Sequence, residues 1–499
     1  MKQAKDKTNK MNKTGERLAG VLMPVSALPS REGIGTFGKE SYHFVDVLSK
    51  MGMSIWQILP LNPLGYGNSP YQPFSSYAGD ELYVDLELLA EKGYLKKSAA
   101  PLESQGRVDY DAARKFKEPY LREAFAEFRK TVSLDAGYAS FCKLDWVKPY
   151  AVFISLKRAN DMRCWNEWPK EQQNWILDGK YDLSELADEI AYQMFLQYMF
   201  YVQWNELKAY ANGKGILIMG DIPFYVGIDS LDVWKAREDF LLDQDGRPRF
   251  IAGVPPDYFS ATGQRWGNPI YDWEHLEQNH FQFWIDRLAY STKLYDILRI
   301  DHFRAFDTYW RIPASCPTAV SGEWLEAPGY KLFDTIYEQL PDAWIVAEDL
   351  GELRPEVLVL RDHYGLMGMF IAEFSLLYEE AHKNRLIYTG THDNQTVKGW
   401  YVDMDRQMRA QVDAKLKPYG KPGDSVVNRM LHYVLESEAD MAVIPAMDVL
   451  ELDDSARLNT PGTVGSPNWE WRMESLEAME ERIEWMREMV LESKRGRKE

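Results

Sequence analysis

Cysteine is scarce in this chain: Cys142, Cys164 and Cys316 are its only three in 499 residues, scattered and odd in number. Such a set does not make a disulfide frame and points to a reducing compartment, the cytoplasm. Long apolar runs are missing too. No stretch approaches the roughly 18–20 consecutive apolar residues of a membrane-spanning helix, so no membrane partner is expected. Positive charge is in deficit, with 58 Lys and Arg against 76 Asp and Glu and a formal net charge of −18. A surface of that sign repels phosphate backbones, so no nucleic-acid partner is expected either. The one Lys-rich stretch, "MKQAKDKTNKMNKTGERLAG", lacks the apolar core of a secretory signal and the Arg/Ser bias of a transit peptide. Residues 1–17 therefore read as a solvated tail.

Several chemical signatures are absent as well. There is no Gly-x-x-x-x-Gly-Lys-[ST], so the phosphate-cradling loop of that motif is not written in the chain. No Gly-x-Ser-x-Gly elbow occurs. Neither His-x-His nor His-Glu-x-x-His is found, which argues against a histidine-rich metal site. No metal and no cofactor are expected.

What the chain does have is a rhythm. Eight short apolar runs, over 19–28, 54–61, 215–226, 295–303, 343–351, 368–374, 385–394 and 439–450, each stop abruptly at polar residues. Near-continuous apolar runs suit parallel strands buried on both faces. Helical patterns such as "GKESYHFVDVLSKMG", "YKLFDTIYEQLP" and "RPEVLVLRDHYG" lie between them. Eight alternating units predict an α/β fold, a (β/α)8 TIM barrel over residues 18–499, with an open doubly wound sheet as the competing architecture.

Two spacings break the rhythm. A mainly helical insertion is expected over 62–190 after the second strand. It leads into "LADEIAYQMFLQYMFYVQWNELKAYA", where Ile190, Met194, Tyr198, Tyr201 and Asn205 mark one face. A Gly/Pro-rich, aromatic insertion over 227–284, after the third strand, reads as a loop-built wall over the barrel mouth. After the eighth strand, Leu476, Met479, Ile483, Met486 and Val490 step by three and four, as in a closing helix. The final "SKRGRKE" reads as a frayed end, and no C-terminal β-sandwich follows.

Barrel chemistry collects where strands end, and the ends here carry acids: Asp221, Asp301, Glu348, Glu373, Asp393 and Asp448. Each alone could be a surface carboxylate or half of an ion pair; recurrence on separate strands favours a site. In "RIDHFR", Arg299 and Asp301 are two apart and share a strand face, so the guanidinium is expected to hold Asp301 ionised. Glu348 in "AEDLG" suits a drier pocket in which a carboxyl keeps its proton. His392 and Asp393 in "THDN" offer a donor and an acceptor for sugar hydroxyls, though a lone histidine is as often a core residue. Trp 17 and Tyr 29 supply flat rings for cores or for stacking on sugars. Paired carboxylates acting on a glycosidic bond is the class that survives.

Together, "SPYQPFSSYAGDELYVDLE", "GDIPFYV", "GVPPDYFSATGQRWGNPIYDW", "RIDHFRAF", "AEDLG", "GTHDN" and "NTPGT" resemble the amylomaltases. These are also called 4-α-glucanotransferases or disproportionating enzymes, of the α-amylase superfamily. The resemblance runs from about residue 18 to the C-terminal helix. It implies transfer of α-1,4-glucan segments with retention, with maltose, maltodextrins or amylose as donor and acceptor. By motif it makes Asp301 the nucleophile, Glu348 the general acid/base and Asp393 the transition-state stabiliser. Arg299 would hold Asp301 ionised, His392 would bond the same sugar ring, and Asp221 would support the sugar-binding end of the third strand. Ser69 and Tyr71 would line the cleaved-sugar subsite, with the Tyr71 ring beneath the sugar, and Trp266 would sit in a flexible loop over the acceptor. One departure is Ala305, where the resemblance leads one to expect glycine; its methyl would pinch a positive-φ backbone. An amylase-like hydrolase and a catalytically dead glucan-binding protein are the competing functions.

Overall fold

The eight apolar runs of the sequence become the eight parallel strands of one barrel sheet. The computed structural model describes residues 16–102, 106–132, 135–256 and 260–496. In chain order its strands are β1 (Leu18–Leu22), β2 (Ile55–Gln57), β3 (Leu217–Ile222), β4 (Phe250–Val254), β5 (Gln264–Pro269) and β6 (Ile297–Ile300). Then come β7 (Thr308–Pro313), β8 (Glu323–Glu326), β9 (Ile345–Ala347), β10 (Gly368–Ile371), β11 (Arg385–Tyr388) and β12 (Met441–Pro445). The barrel pairs in the order β10-β11-β12-β1-β2-β3-β6-β9. Its two ends meet in a parallel bridge of Val346 to Met367, where the Ala347 N–H donates to the Met367 carbonyl at 2.8 Å. Closure decides against the open sheet. The strands are buried almost throughout, as strands covered on both faces must be. The fit is close: a Cβ on Gly20 would come within 2.5 Å of the Ile55 side chain and carbonyl oxygen, so β1 passes β2 only with glycine there.

Residues 62–190 carry helices at Tyr110–Phe128, Val147–Ala159 and Lys170–Asp178. Lys117 from the first of these donates to Glu32 at 2.5 Å, a buried ion pair that ties this segment to the loop after β1. The 27-residue helix Ala187–Gly213 then delivers the chain to β3. Its expected face was only partly right. Met194, Tyr201 and Asn205 stay half-buried, whereas Tyr192, Phe195, Met199, Trp204 and Leu207 are buried. The helix is packed from two sides, with Phe125 against Phe195 and Phe37 against Trp204 at ring separations of 5.5 and 5.2 Å, so no single stripe describes it.

Residues 227–284 hold two strands the sequence reading did not anticipate. β4 and β5 join β7 and β8 in a four-stranded antiparallel sheet ordered β5-β4-β7-β8. After β12 come the helices Glu477–Glu481 and Ile483–Glu492, with Met479, Met486 and Val490 buried. No further sheet follows among the described residues. The expected tail over 1–17 lies outside the described residues except for Glu16 and Arg17. The C-terminus is not frayed as far as Arg495. That guanidinium is buried and donates to the carbonyls of Leu435, Ala439, Leu18 and Ser437, because the end of helix Val426–Glu436 leaves acceptors that need a donor. Among the described residues, no helix is long and apolar enough to cross a membrane.

Candidate active site

Neighbouring strands β3, β6 and β9 bring three acidic ends together. Their register sets Asp221 opposite Arg299, and Arg299 opposite Val346, two residues before Glu348. Arg299, 4% exposed, cannot stay charged without partners. Its Nη1 donates to both oxygens of Asp221 at 2.7 and 2.6 Å and lies 3.2 Å from an oxygen of Asp301. The Tyr71 hydroxyl donates to Asp221 at 2.7 Å. Asp221 is thus wholly engaged and buried, while 33% of the Asp301 side chain is open to the barrel mouth.

Just past β6 the chain turns through His302, whose φ of 52° lies in the left-handed region. That turn aims the His302 N–H at Glu348, to which it donates at 2.7 Å; the Leu350 N–H donates to the other oxygen at 3.1 Å. Glu348 is therefore held by the residue that follows Asp301. Ala305 lies one turn on, in a short helical segment (Phe303–Phe306) with no positive φ. The feared pinch does not arise, because the strained position is His302.

On the other side of the mouth, the turn after β11 carries His392 and Asp393. The Tyr71 and His392 rings stack at 5.1 Å and 19°, with Trp469 tilted against both. Asn459 donates to Asp393 Oδ1 at 2.6 Å and Arg457 donates to the Asp393 carbonyl at 2.9 Å. With 46% of its side chain exposed, Asp393 sets its other oxygen 3.5 Å from His392 Nε2. Ser69 acts locally, its Oγ accepting the Tyr71 N–H at 3.3 Å. Trp266 stands on β5, not in a loop; its ring meets His302 edge-on at 4.9 Å, and Gln72 donates to its carbonyl at 3.4 Å. The nine expected residues thus form one constellation, with Trp266 and Ser69 at its margins.

Electrostatics correct one expectation. Arg299 does pull the Asp301 carboxyl down, but burial, followed by the charges of Asp221 and Asp393, outweighs it and raises Asp301 to about 7. The guanidinium is largely spent on Asp221. Burial and the Asp301 charge raise Glu348 further, to about 8. Arg299 lies 3.2 Å from Asp301, whereas Glu348 accepts only backbone N–H groups, so the negative charge of the pair settles on Asp301 and the proton on Glu348. Burial lowers His302 to about 3 and lowers His392, so both rings are neutral. Burial keeps the Tyr71 hydroxyl protonated as a donor.

His302, Arg457, Asn459 and Trp469 escaped the sequence reading as site residues. Asn459 sat inside the quoted "NTPGT" and His302 inside "RIDHFR", which were the available signals; Arg457 and Trp469 had none.

A family model described as 4-alpha-glucanotransferase matches residues 23–478. A 4-alpha-glucanotransferase of Thermus thermophilus is 43% identical over 480 residues, 92% of this chain and 95% of that one. One from Streptococcus pneumoniae is 42% identical, over 92% of this chain and 93% of that one. Among solved structures, an amylomaltase from Streptococcus agalactiae in complex with acarbose superposes with a TM-score of 0.90 at 36% identity, covering 97% of this chain and 100% of that one.

Proposed function

The chain belongs to the 4-alpha-glucanotransferase family and is a retaining transferase; from that premise we propose which residues carry the reaction and on what substrates. The substrates are α-1,4-glucans, with maltodextrins or amylose as donor and glucose or another maltodextrin as acceptor. Ionised Asp301 attacks the anomeric carbon while protonated Glu348 gives its proton to the departing glycosidic oxygen. The C–O bond to the leaving glucan breaks as the ester bond to Asp301 forms. Glu348, now a carboxylate, removes the proton from an incoming 4-hydroxyl, whose oxygen displaces Asp301. Two inversions give retention. Asp393 bonds hydroxyls of the distorted ring, with His392 beside it and the Tyr71 ring below.

The observation that carries this assignment is the bond from the His302 N–H to Glu348, which fixes the acid against the turn that begins with Asp301. Ends of adjacent strands stand about 4.7–4.9 Å apart, and retaining enzymes need their two carboxyls about 5–5.5 Å apart. Incubation with maltotriose tests the reading: a ladder of longer maltodextrins with some glucose is expected. Accumulation of glucose and maltose alone would instead identify a hydrolase.

Transfer outcompetes water when the acceptor hydroxyl is held in near-attack geometry. Trp266, beside His302 on β5, is the candidate acceptor platform. Trp266→Ala should raise the acceptor KM and the ratio of hydrolysis to transfer by about 5–150-fold, the scale of a lost stacking contact of about 1–3 kcal/mol. An unchanged product ratio removes Trp266 from that role. Residues 62–190 and 227–284 are read as insertions of one catalytic unit over 18–499, the second of them forming the acceptor wall. The three free cysteines support a cytoplasmic setting.

A further inference from the structure

Two of the six acids at the strand ends, Glu373 and Asp448, have no part in the chemistry above, yet both are buried beneath the turn that carries His392 and Asp393. Asp448 is fully used: Thr389 Oγ1 donates to one oxygen at 2.6 Å and the Val397 N–H to the other at 2.9 Å, clamping both ends of that turn. Glu373 is different. It follows β10 in the short helix Ala372–Ser375, and its N–H donates to the Thr389 carbonyl at 3.1 Å. Its Oε1 meets no hydrogen-bond partner among the described residues. The turn lies directly on it: a Cβ on Gly390 would stand 3.0 Å from that oxygen and 2.9 Å from the Asn394 side chain. Glycine at 390 is what lets the carboxyl sit so close.

A chain of contacts leads from Glu373 to Asp393. The Asn394 side chain and the Glu373 carboxyl face each other over Gly390. Asn394 Oδ1 accepts from both the N–H and the hydroxyl of Thr391, at 2.9 and 2.8 Å. Thr391 Oγ1 in turn accepts the Asp393 N–H at 3.3 Å. Thr391 holds the Asn394 carbonyl oxygen, which leaves the amide N–H group as the end of that side chain free to meet the Glu373 carboxyl. We propose that Glu373 is a positioning residue for glucan transfer, its buried carboxyl anchoring Asn394 and, through Thr391, orienting Asp393.

The surroundings require the uncharged form. Facing Glu373 are Asp448 from the segment after β12, Asp454 from the following turn, and Arg457, whose guanidinium is engaged by the Asp393 carbonyl. Burial first, then Asp448, raises the Glu373 carboxyl well above its ordinary value. These acids do not converge as a metal-ligating set among the described residues. An ionised Glu373 would compete with the Asp393 carbonyl for Arg457 and repel both aspartates.

The inference rests on the assignment of Asp393 to the reaction, so Asp393→Asn is assayed in parallel: retained turnover there would fault that assignment, not the role of Glu373. With Asp393→Asn inactive, Glu373→Gln, which keeps the acceptor and the neutrality, should transfer from maltotriose within about threefold of native. Glu373→Leu should lose about 10–100-fold in kcat with little change in KM, the scale of a displaced catalytic group. Native kcat in Glu373→Leu, or an equal loss in Glu373→Gln, overturns the proposal. Melting against pH supplies a readout that holds even if the leucine variant does not fold. A carboxyl raised on folding ionises first in the unfolded chain, so native stability falls as pH rises above the ordinary value of 4.5. Glu373→Gln escapes that loss. It should melt with the native protein at low pH and progressively above it toward pH 8; parallel curves without a gap overturn the uncharged state.

Discussion

Asp301→Asn is expected to fold normally and to lose transfer from maltotriose by at least about 10⁴-fold, the scale seen when a nucleophile is removed from an otherwise intact site. Folding survives because the buried Arg299 keeps both of its bonds to Asp221 and is never left unpaired. The substitution also removes one negative charge from a group that includes Asp221, Glu348 and Asp393, so the melting temperature should hold or rise. Activity falls because an amide cannot form the ester that stores the energy of the broken glycosidic bond. Binding should persist, since His392 and Asp393, proposed to grip the sugar hydroxyls, and the Tyr71 ring are untouched. Quantifying labelled maltotriose turnover beside a thermal melt separates these outcomes. Turnover within tenfold of native, in a protein that melts normally, would remove Asp301 from the nucleophile's role.

The barrel was legible because its strands are buried on both faces, which writes them as continuous apolar runs ending in a polar residue. Leu298 and Ile300 of β6 sit at 1% exposure or less, and no loop tolerates that pattern. The four-stranded sheet was not legible for the opposite reason. β5 reads "QRWGNP", with a glycine and a proline inside it, and its sheet has a small core of Ile251, Ile312 and Ala319. Its central partners β4 and β7 are separated in sequence by β6, so no local period betrays them. In the site, acids at strand ends were visible as residue types, but what each one touches was not. Arg299 was matched to Asp301, its neighbour two residues on, whereas its stronger contacts are with Asp221 across β3. The left-handed turn at His302 was not read from the sequence: histidine is enriched at positive φ, but that conformation is uncommon even for histidine, so the residue type alone does not mark the turn.

Glu348→Gln separates the two half-reactions. In the proposed mechanism the working state has Asp301 ionised and Glu348 protonated. kcat/KM should therefore rise with pH as Asp301 loses its proton and fall as Glu348 loses its own. Burial raises both groups, and the Asp301 charge raises Glu348 further, so both limbs lie above the ordinary carboxyl range. In Glu348→Gln the alkaline limb should vanish, because the amide has no proton to lose, and turnover of maltotriose should drop by about 10²–10⁴-fold. With α-maltosyl fluoride, whose leaving group needs no proton, the first displacement should still proceed. Fluoride should appear in a burst stoichiometric with enzyme and then stall, because no carboxylate remains to deprotonate the acceptor. Azide, an anionic nucleophile that needs no base, should restart turnover and yield the α-glycosyl azide. A persistent alkaline limb, or steady fluoride release at the native rate, would show that another group performs the proton transfers. The turn at His302 would then be holding Glu348 for a structural purpose, and the search for the acid would move to the remaining carboxyls around the barrel mouth.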